Sequence, residues 1–404
     1  MDAAKNPFSP GAGNPPPELA GREDILNEAK TTIARVADGR HSRSQLLLGL
    51  RGVGKTVLLN EIERMAEQRK LLTAVIEAPE SKTFLEKLAP QLRKVVLKLD
   101  RVAGAKEIAR RTGSALQNFA SVFKLKFGEF EIGVEPESGV ADSGDLGTDL
   151  TDLLLLVAET ASKANTAVVL FVDEVQYLSE EELTALIVSL HRISQKNLPF
   201  VMFGAGLPQL AGLAGEAKSY AERLFDYPGV GALEKQAAVD AIKVPIEKAG
   251  ARVETAALNR IFKETQGYPF FLQEWGYQAW NAASTKTITT ADVATATKAA
   301  IKRLDRGFFR VRLDRMTPRE QEYMRAMAEL GAGPHRSGDI AAKLGVGVRT
   351  AAPLRNTLIE KGMIYSPAHG DTAFTVPMFD AYLRRAILSL NDASPVTRKR
   401  KKRG

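Results

Sequence analysis

Cysteine is absent from the 404 residues. That excludes a disulfide framework and any thiolate metal site, and it suits a reducing cytoplasm. No apolar run approaches the roughly 18 residues that a membrane helix needs. The N-terminus also lacks the charged-then-apolar pattern of a secretion signal. The expectation is a cytoplasmic protein with no membrane partner. Histidine is scarce: His41, His191, His335 and His369 lie far apart with no ligand-like spacing, and they read as structural or solvated. Net positive charge is scarce too, outside one place. Of the net +8, six come from Arg398, Lys399, Arg400, Lys401, Lys402 and Arg403, so the rest of the chain is nearly neutral. Apolar content of 44% and charged content of 26% are ordinary for a globular protein. The length is too great for one small core and implies two or three domains.

What the chain does contain is a phosphate-binding pattern. Gly49-Leu50-Arg51-Gly52-Val53-Gly54-Lys55-Thr56 fits G-x-x-x-x-G-K-[ST]. An apolar strand pattern, Ser44–Leu48, precedes it, and an amphipathic helix pattern without Gly or Pro follows from Val57. Glycines let successive N–H groups turn inward toward phosphate oxygens, and the helix N-terminus adds partial positive charge. Lys55 is placed to reach the β- and γ-phosphates of ATP, and the Thr56 hydroxyl to hold Mg²⁺. The plain alternative is a chance glycine loop.

Binding alone does not hydrolyse. Ala167-Val168-Val169-Leu170-Phe171-Val172 reads as a central parallel strand buried on both faces. Asp173 at its end can assist the metal. Glu174, one residue on, can polarise a water against the γ-phosphate. The plain alternative is a strand ending in two solvated acids.

In chain order, residues 1–20 form a Pro/Gly-rich leader. Phe8 and the prolines suggest that it lies over the nucleotide site. A helix from Gly21-Arg22-Glu23-Asp24 opens an α/β core spanning 21–233. Within it, about 104–147 reads as an insertion with a helix near 105–121 and a hairpin near 122–134. Ser179 and Glu182 signal a capped helix, Phe200–Gly204 another buried strand, and Tyr227–Leu233 a short one. Residues 234–303 read as a helical lid, in which Trp275 and Trp280 read as core rather than as ligand-stacking groups. The basic run at 302–319 reads as a solvated helix face.

Residues 304–390 read as three helices and a hairpin, a winged helix-turn-helix. Pro353 suggests that the third helix begins near Ala352, leaving Arg349 and Thr350 in the preceding loop. Residues 391–404 read as a disordered basic tail. The fold class is thus α/β: a P-loop NTPase parallel sheet core, a helical lid and a C-terminal winged helix-turn-helix domain.

Gly21-Arg22-Glu23, the P-loop, Asp173-Glu174 with Gln176, and a helical lid together resemble the AAA+ superfamily. The likeness is closest to archaeal-type ATPases related to origin-recognition initiators and to bacterial ATP-binding proteins of that build. Gly267 and Pro269 match the Gly-x-Pro lid motif of the related STAND signalling ATPases. The resemblance covers about 7–390, apart from the insertion. It implies an arginine finger donated across a subunit interface, hence a homo-oligomer or a partner ATPase, and Arg223 matches that position. Two departures stand out. Gly204-Ala205-Gly206 lies where many members place a polar sensor, and Phe270, Phe271 and Gln273 lie where many have a sensor arginine. Slow or partner-triggered hydrolysis follows.

Two functions compete. One is an ATP-dependent switch acting on DNA through Arg349, Arg355 and Asn356 of the third helix and through the basic tail. The other is a STAND-like signalling or regulatory ATPase whose winged helix contacts protein. The discriminator is whether Arg349, Arg355 and Asn356 face outward. A small-molecule kinase is a distant third, since no acceptor pocket is legible.

Overall fold

The computed structural model describes residues 1–11, 13–79, 83–102, 104–125 and 139–387. The chain divides into two compact units, residues 2–277 and residues 278–404 together with Met1. The division falls inside a helix of the segment 234–303.

The first unit alternates strand and helix. Helix α1 (Glu23–Ala37) leads into β1 (Ser44–Leu48), α2 (Lys55–Gln68) and β2 (Leu72–Glu77). Helices α3 (Phe84–Asp100), α4 (Lys106–Val122) and α5 (Leu146–Lys163) precede β3 (Val168–Asp173). Then come α6 (Glu180–Gln195), β4 (Phe200–Gly206), α7 (Leu210–Ala217), α8 (Ala221–Leu224) and β5 (Phe225–Asp226). Helix α9 (Lys235–Lys248), β6 (Arg252–Val253), α10 (Thr255–Thr265) and α11 (Pro269–Ala282) follow.

Among the described residues the five strands pair in parallel in the order β2-β3-β4-β1-β5. Strand β3 lies between β2 and β4, and Val168–Val172 are buried. This is why its pattern is continuously apolar instead of alternating. The Ser179 hydroxyl and the Glu182 carboxylate form the expected capping box at α6. The same Glu182 accepts from Phe84 N at 2.7 Å, so one carboxylate serves two helix starts.

Three expectations change in detail. Helix α4 buries Ala109, Leu116 and Phe119 in the core shared with α3 and α5, so this part of the 104–147 stretch packs as core. The hairpin near 122–134 falls mostly outside the described residues; only its start is seen, where Val122 ends α4. The short strand expected over Tyr227–Leu233 is instead Phe225–Asp226. The following residues bond β1 singly: Leu48 N donates to Pro228 O at 2.9 Å, and Val230 N to Leu48 O at 2.7 Å. Pro228 has no N–H to continue a ladder.

The second unit carries β7 (Thr287–Ile288), α12 (Thr290–Leu304), a π-helical turn (Asp305–Phe309) and α13 (Arg310–Asp314). Helix α14 (Pro318–Leu330), β8 (His335–Arg336), α15 (Ser337–Lys343), α16 (Val348–Glu360), β9 (Ile364–Tyr365), β10 (Asp371–Phe374) and α17 (Phe379–Ala386) complete it. Strand β10 pairs antiparallel with both β8 and β9. Phe309 stacks on Phe379 and Tyr382, with ring centroids 5.6 and 5.3 Å away. Helix α16 begins at Val348, not near Ala352, and contains Pro353. A proline costs that helix one hydrogen bond, and burial of Ala351 and Leu358 outweighs the loss. Arg349 and Thr350 therefore lie in its first turn.

The Thr317–Glu320 capping box opens α14, and Lys361 Nζ donates to both Glu320 oxygens at 2.8 and 2.9 Å. Burial pushes the Glu320 carboxyl up, but the bonds from Lys361 and Thr317 more than offset it, leaving its pKa below the ordinary value. A carboxyl depressed in the folded state stabilises above its unfolded pKa and loses that contribution as pH falls through the folded one. Lys361→Met should therefore destabilise this unit by about 3 kcal/mol, because Glu320 is left buried with its Thr317 bond but no counter-charge. The deficit should shrink in acid as Glu320 becomes protonated. Thermal melts of both proteins from pH 7 to pH 3 check this, and an equal deficit at both ends would refute it.

Candidate functional site

The site is built at the C-terminal ends of β1 and β3, the two strands that flank β4. The loop after β1 curls through Gly52 and Gly54, with φ of +84° and +96°. Side-chain-bearing residues adopt that region only with strain. Gly49 is demanded by contact rather than by angle. A Cβ there would sit 2.1 Å from the Val230 carbonyl oxygen.

Lys55 opens α2 and is buried, and its ammonium donates to the carbonyls of Gly49 at 2.9 Å and Leu50 at 3.0 Å. Burial pushes its pKa down, while Glu174 and Asp173 pull it back up. Thr56 Oγ1 donates to Asp173 Oδ2 at 2.5 Å, joining the loop to the acidic strand. The Asp173 carboxyl is raised, chiefly by burial.

Glu174 leaves β3 at φ +53°, a left-handed turn unusual for a side-chain-bearing residue. Its N–H donates to Asp173 Oδ1 at 2.8 Å. Its carboxylate accepts from the Gln176 amide. A cleft of about 550 Å³ opens beside it, lined in part by Arg51, Glu77, Lys87, Gln91, Glu174 and Tyr177. Arg51 donates to the Tyr177 hydroxyl, while its Nε is buried without a partner.

Two further parts of the first unit grip the loop. Tyr268 donates its hydroxyl to Arg51 O, and Phe270 N donates to Gly52 O at 3.2 Å. Both residues follow Gly267, whose φ is +71° and where a Cβ would lie 2.1 Å from Leu233 O. The Gly-Tyr-Pro pattern is thus a docking turn. Gly267 permits the close approach, Tyr268 reaches the loop, and Pro269 starts α11. From the other side the Arg22 guanidinium, buried and with its pKa lowered chiefly by that burial, donates to Val53 O and Gly231 O.

The leader contributes as well. Phe8 is 2% exposed and packs against Gly276, while Gly13 lies beside the Thr56 side chain. The leader therefore passes the start of α2 at Gly13, whereas Phe8 seats on α11.

Gly49–Thr56, Asp173 and Glu174 are thus brought together. Arg223 is not among them: it is exposed on α8. Arg349 and Asn356 are exposed on α16. Arg355 turns the other way. Its guanidinium donates to Thr372 Oγ1 at 2.9 Å, Ser366 Oγ at 2.9 Å and Asp371 O at 3.0 Å, binding α16 to the β9–β10 hairpin. Residues Arg398–Arg403 lie outside the described residues. No group of three or more His, Cys, Asp or Glu side chains that could hold a metal ion occurs among the described residues. Sequence reasoning missed the loop contacts of Arg22, Tyr268 and Tyr177. Only the adjacency of Arg22 and Tyr268 to glycines in the 21–23 and 267–269 motifs hinted at the first two.

Residues 18–203 match the AAA ATPase domain. That segment, just under half of the chain, thus carries an AAA ATPase domain. Residues 306–383 match a domain of unknown function (DUF8462). No curated protein matches the chain. A Walker-type ATPase of Pyrococcus abyssi has a similar structure, with TM-score 0.55, 18% identity, and coverage of 91% of this chain and 96% of that one. That likeness extends the shared fold well beyond the ATPase domain. Two more distant likenesses add nothing to it. The RuvB Holliday junction branch migration motor of Thermotoga maritima has TM-score 0.45, 16% identity and coverage of 88% and 92%. The Aeropyrum pernix ORC1 protein in complex with DNA has TM-score 0.47, 15% identity and coverage of 91% and 93%.

Gly267→Ala should lower the stability of the first unit by at least about 2 kcal/mol, since it adds both a left-handed penalty and a backbone clash. Gly212→Ala, on α7, is the control: a Cβ there meets nothing within 4 Å. Chemical denaturation of both variants checks this, and equal midpoints would refute it.

Proposed function

We propose that the protein is an ATP-hydrolysing switch of the AAA+ type that acts on DNA. The observation that carries the ATPase part is the direct bond from Thr56 to Asp173, which joins the phosphate loop to the acidic strand. Inward-turned N–H groups of 52–56 cradle phosphates, and Lys55 exchanges the carbonyls of Gly49 and Leu50 for phosphate oxygens. The buried, unpartnered Arg51 Nε is a further donor within the loop.

The Thr56 hydroxyl and the Asp173 carboxylate are hard oxygen donors of the kind Mg²⁺ takes alongside phosphate and water. A carboxyl pushed up by burial is one that a cation would relieve. Bound there, Mg²⁺ supplies charge neutralisation at the β- and γ-phosphates. Glu174 accepts the proton of the attacking water.

Turnover is slow or partner-triggered, because β4 ends in Gly204-Ala205-Gly206 and offers no polar side chain. Arg223, exposed on α8, is the group we assign to a neighbouring subunit's site, which makes a homo-oligomer or a partner ATPase part of the reading. Residues 304–387 we read as a winged helix, with β9 and β10 as the wing. DNA action rests on exposed Arg349 and Asn356 and on the basic run Arg398–Arg403. The signalling reading retains one specific support. Arg355 is occupied by the hairpin, and Val346 and Val348 beside Arg349 are 41% and 51% exposed, a surface suited to protein.

Lys55→Ala should abolish or greatly weaken ATP binding, whereas Glu174→Gln should keep binding and stop phosphate release. Calorimetry with ATP and a phosphate-release assay separate the two, and Glu174→Gln hydrolysing at the normal rate would remove Glu174 as the base. Turnover per subunit should rise with protein concentration; if it does not, Arg223 has no role across an interface.

The tail prediction concerns salt. Phosphate contacts carry no sequence information. If 398–403 neutralise four to six phosphates, their deletion should flatten log K against log salt by roughly 4–5 units on duplex DNA. Full-length protein that binds no DNA at low salt, with and without ATP, would favour the signalling reading.

A further inference from the structure

Strand β4 ends without a polar side chain, yet the loop after it is wired to Glu174. The wire is Gln176, half-buried in the turn that follows β3. Its amide N–H donates to Glu174 Oε2. Its carbonyl oxygen accepts from Leu207 N at 3.1 Å, one residue past the end of β4. The approach depends on Gly206, where a Cβ would lie 2.9 Å from that same oxygen. Glu174 needs such a hold. It sits at a left-handed turn on the edge of the 550 Å³ cleft. Among the described residues, Gln176 is the one side chain that hydrogen-bonds its carboxylate.

We propose that Gln176 is a positioning residue, which fixes the Glu174 carboxylate relative to the end of β4 so that it meets the attacking water. The inference rests on the ATPase reading above. Gln176 touches neither the phosphates nor the water and acts only through Glu174. A base displaced by about 1 Å loses on the order of 10²-fold in rate.

Two variants divide its bonds. Gln176→Glu keeps an oxygen to accept from Leu207 N but cannot donate to Glu174, and it sets a like charge against it. Gln176→Ala removes both bonds. Single-turnover hydrolysis with radiolabelled ATP gives the rate, and a fluorescent ATP analogue gives affinity.

The expected result is that both variants lose on the order of 10- to 100-fold in rate, keep nucleotide affinity within about 3-fold, and melt near wild type in the case of Gln176→Glu. The decisive comparison is the double variant, read on the residual single-turnover rate of Glu174→Gln over long incubation. Adding Gln176→Ala should lower that residual rate no further, because the residue acts through a carboxylate already gone. Independent, multiplying losses would mean a merely structural role and overturn the proposal. So would wild-type rates in both Gln176 variants while Glu174→Gln is inactive, which leaves the ATPase reading standing. An active Glu174→Gln, or an inert wild type, overturns both.

Discussion

Backbone touching backbone at Val230–Leu233 is the constraint on which the first unit depends. Val230 N and O meet Leu48 and Gly49, Gly231 O meets Arg22, and Leu233 N and O meet Gly267. Three stretches distant in sequence therefore converge on one short segment. Hydrogen bonds of this kind are individually modest but costly to leave unmade when buried. The phosphate loop takes its shape from these neighbours as well as from its own glycines. Gly49 and Gly267 are there so that carbonyl oxygens can come where a methyl group would stand.

A second consequence is that the loop is held from several sides by groups that do no chemistry. Arg22 grips Val53 from the start of α1, and Tyr268 and Phe270 grip Arg51 and Gly52 from the start of α11. A loop fixed this way is organised for phosphate in advance, which lowers the cost of binding. It also means that a shift in α11 is felt at Arg51 and Gly52 directly. Glu174 is held separately, through Gln176 and the end of β4, so the hold on the loop and the hold on this carboxylate are mechanically distinct.

Much of this was legible in the residues. A buried parallel strand must be apolar on both faces, so Val168–Val172 announced itself, and the phosphate loop has a spacing that few other needs impose. The capping box at Ser179 was readable because its two partners lie three residues apart. What could not be read depends on distance in space. Arg355 looked like an outward cation, since nothing local says that Ser366, Asp371 and Thr372 will surround it. The start of α16 was misjudged because a rule about Pro353 is local, while the burial of Ala351 and Leu358 that overrides it is not. The role of Gln176 was hidden for the same reason: its second partner, Leu207, is on another strand's end.

The leader carries a consequence for the order in which the chain is made. Phe8 is buried against Gly276, and Asn6 donates to the Tyr277 carbonyl at 3.0 Å, across 271 residues of sequence. On a ribosome residues 6–8 emerge before α11, and their seat does not exist until α11 has been synthesised. At about 5–20 residues per second that is an interval of tens of seconds. Throughout it Phe8 and the prolines around it have no partner. Asn6 and Phe8 thus reach their seat only after α11 has been made.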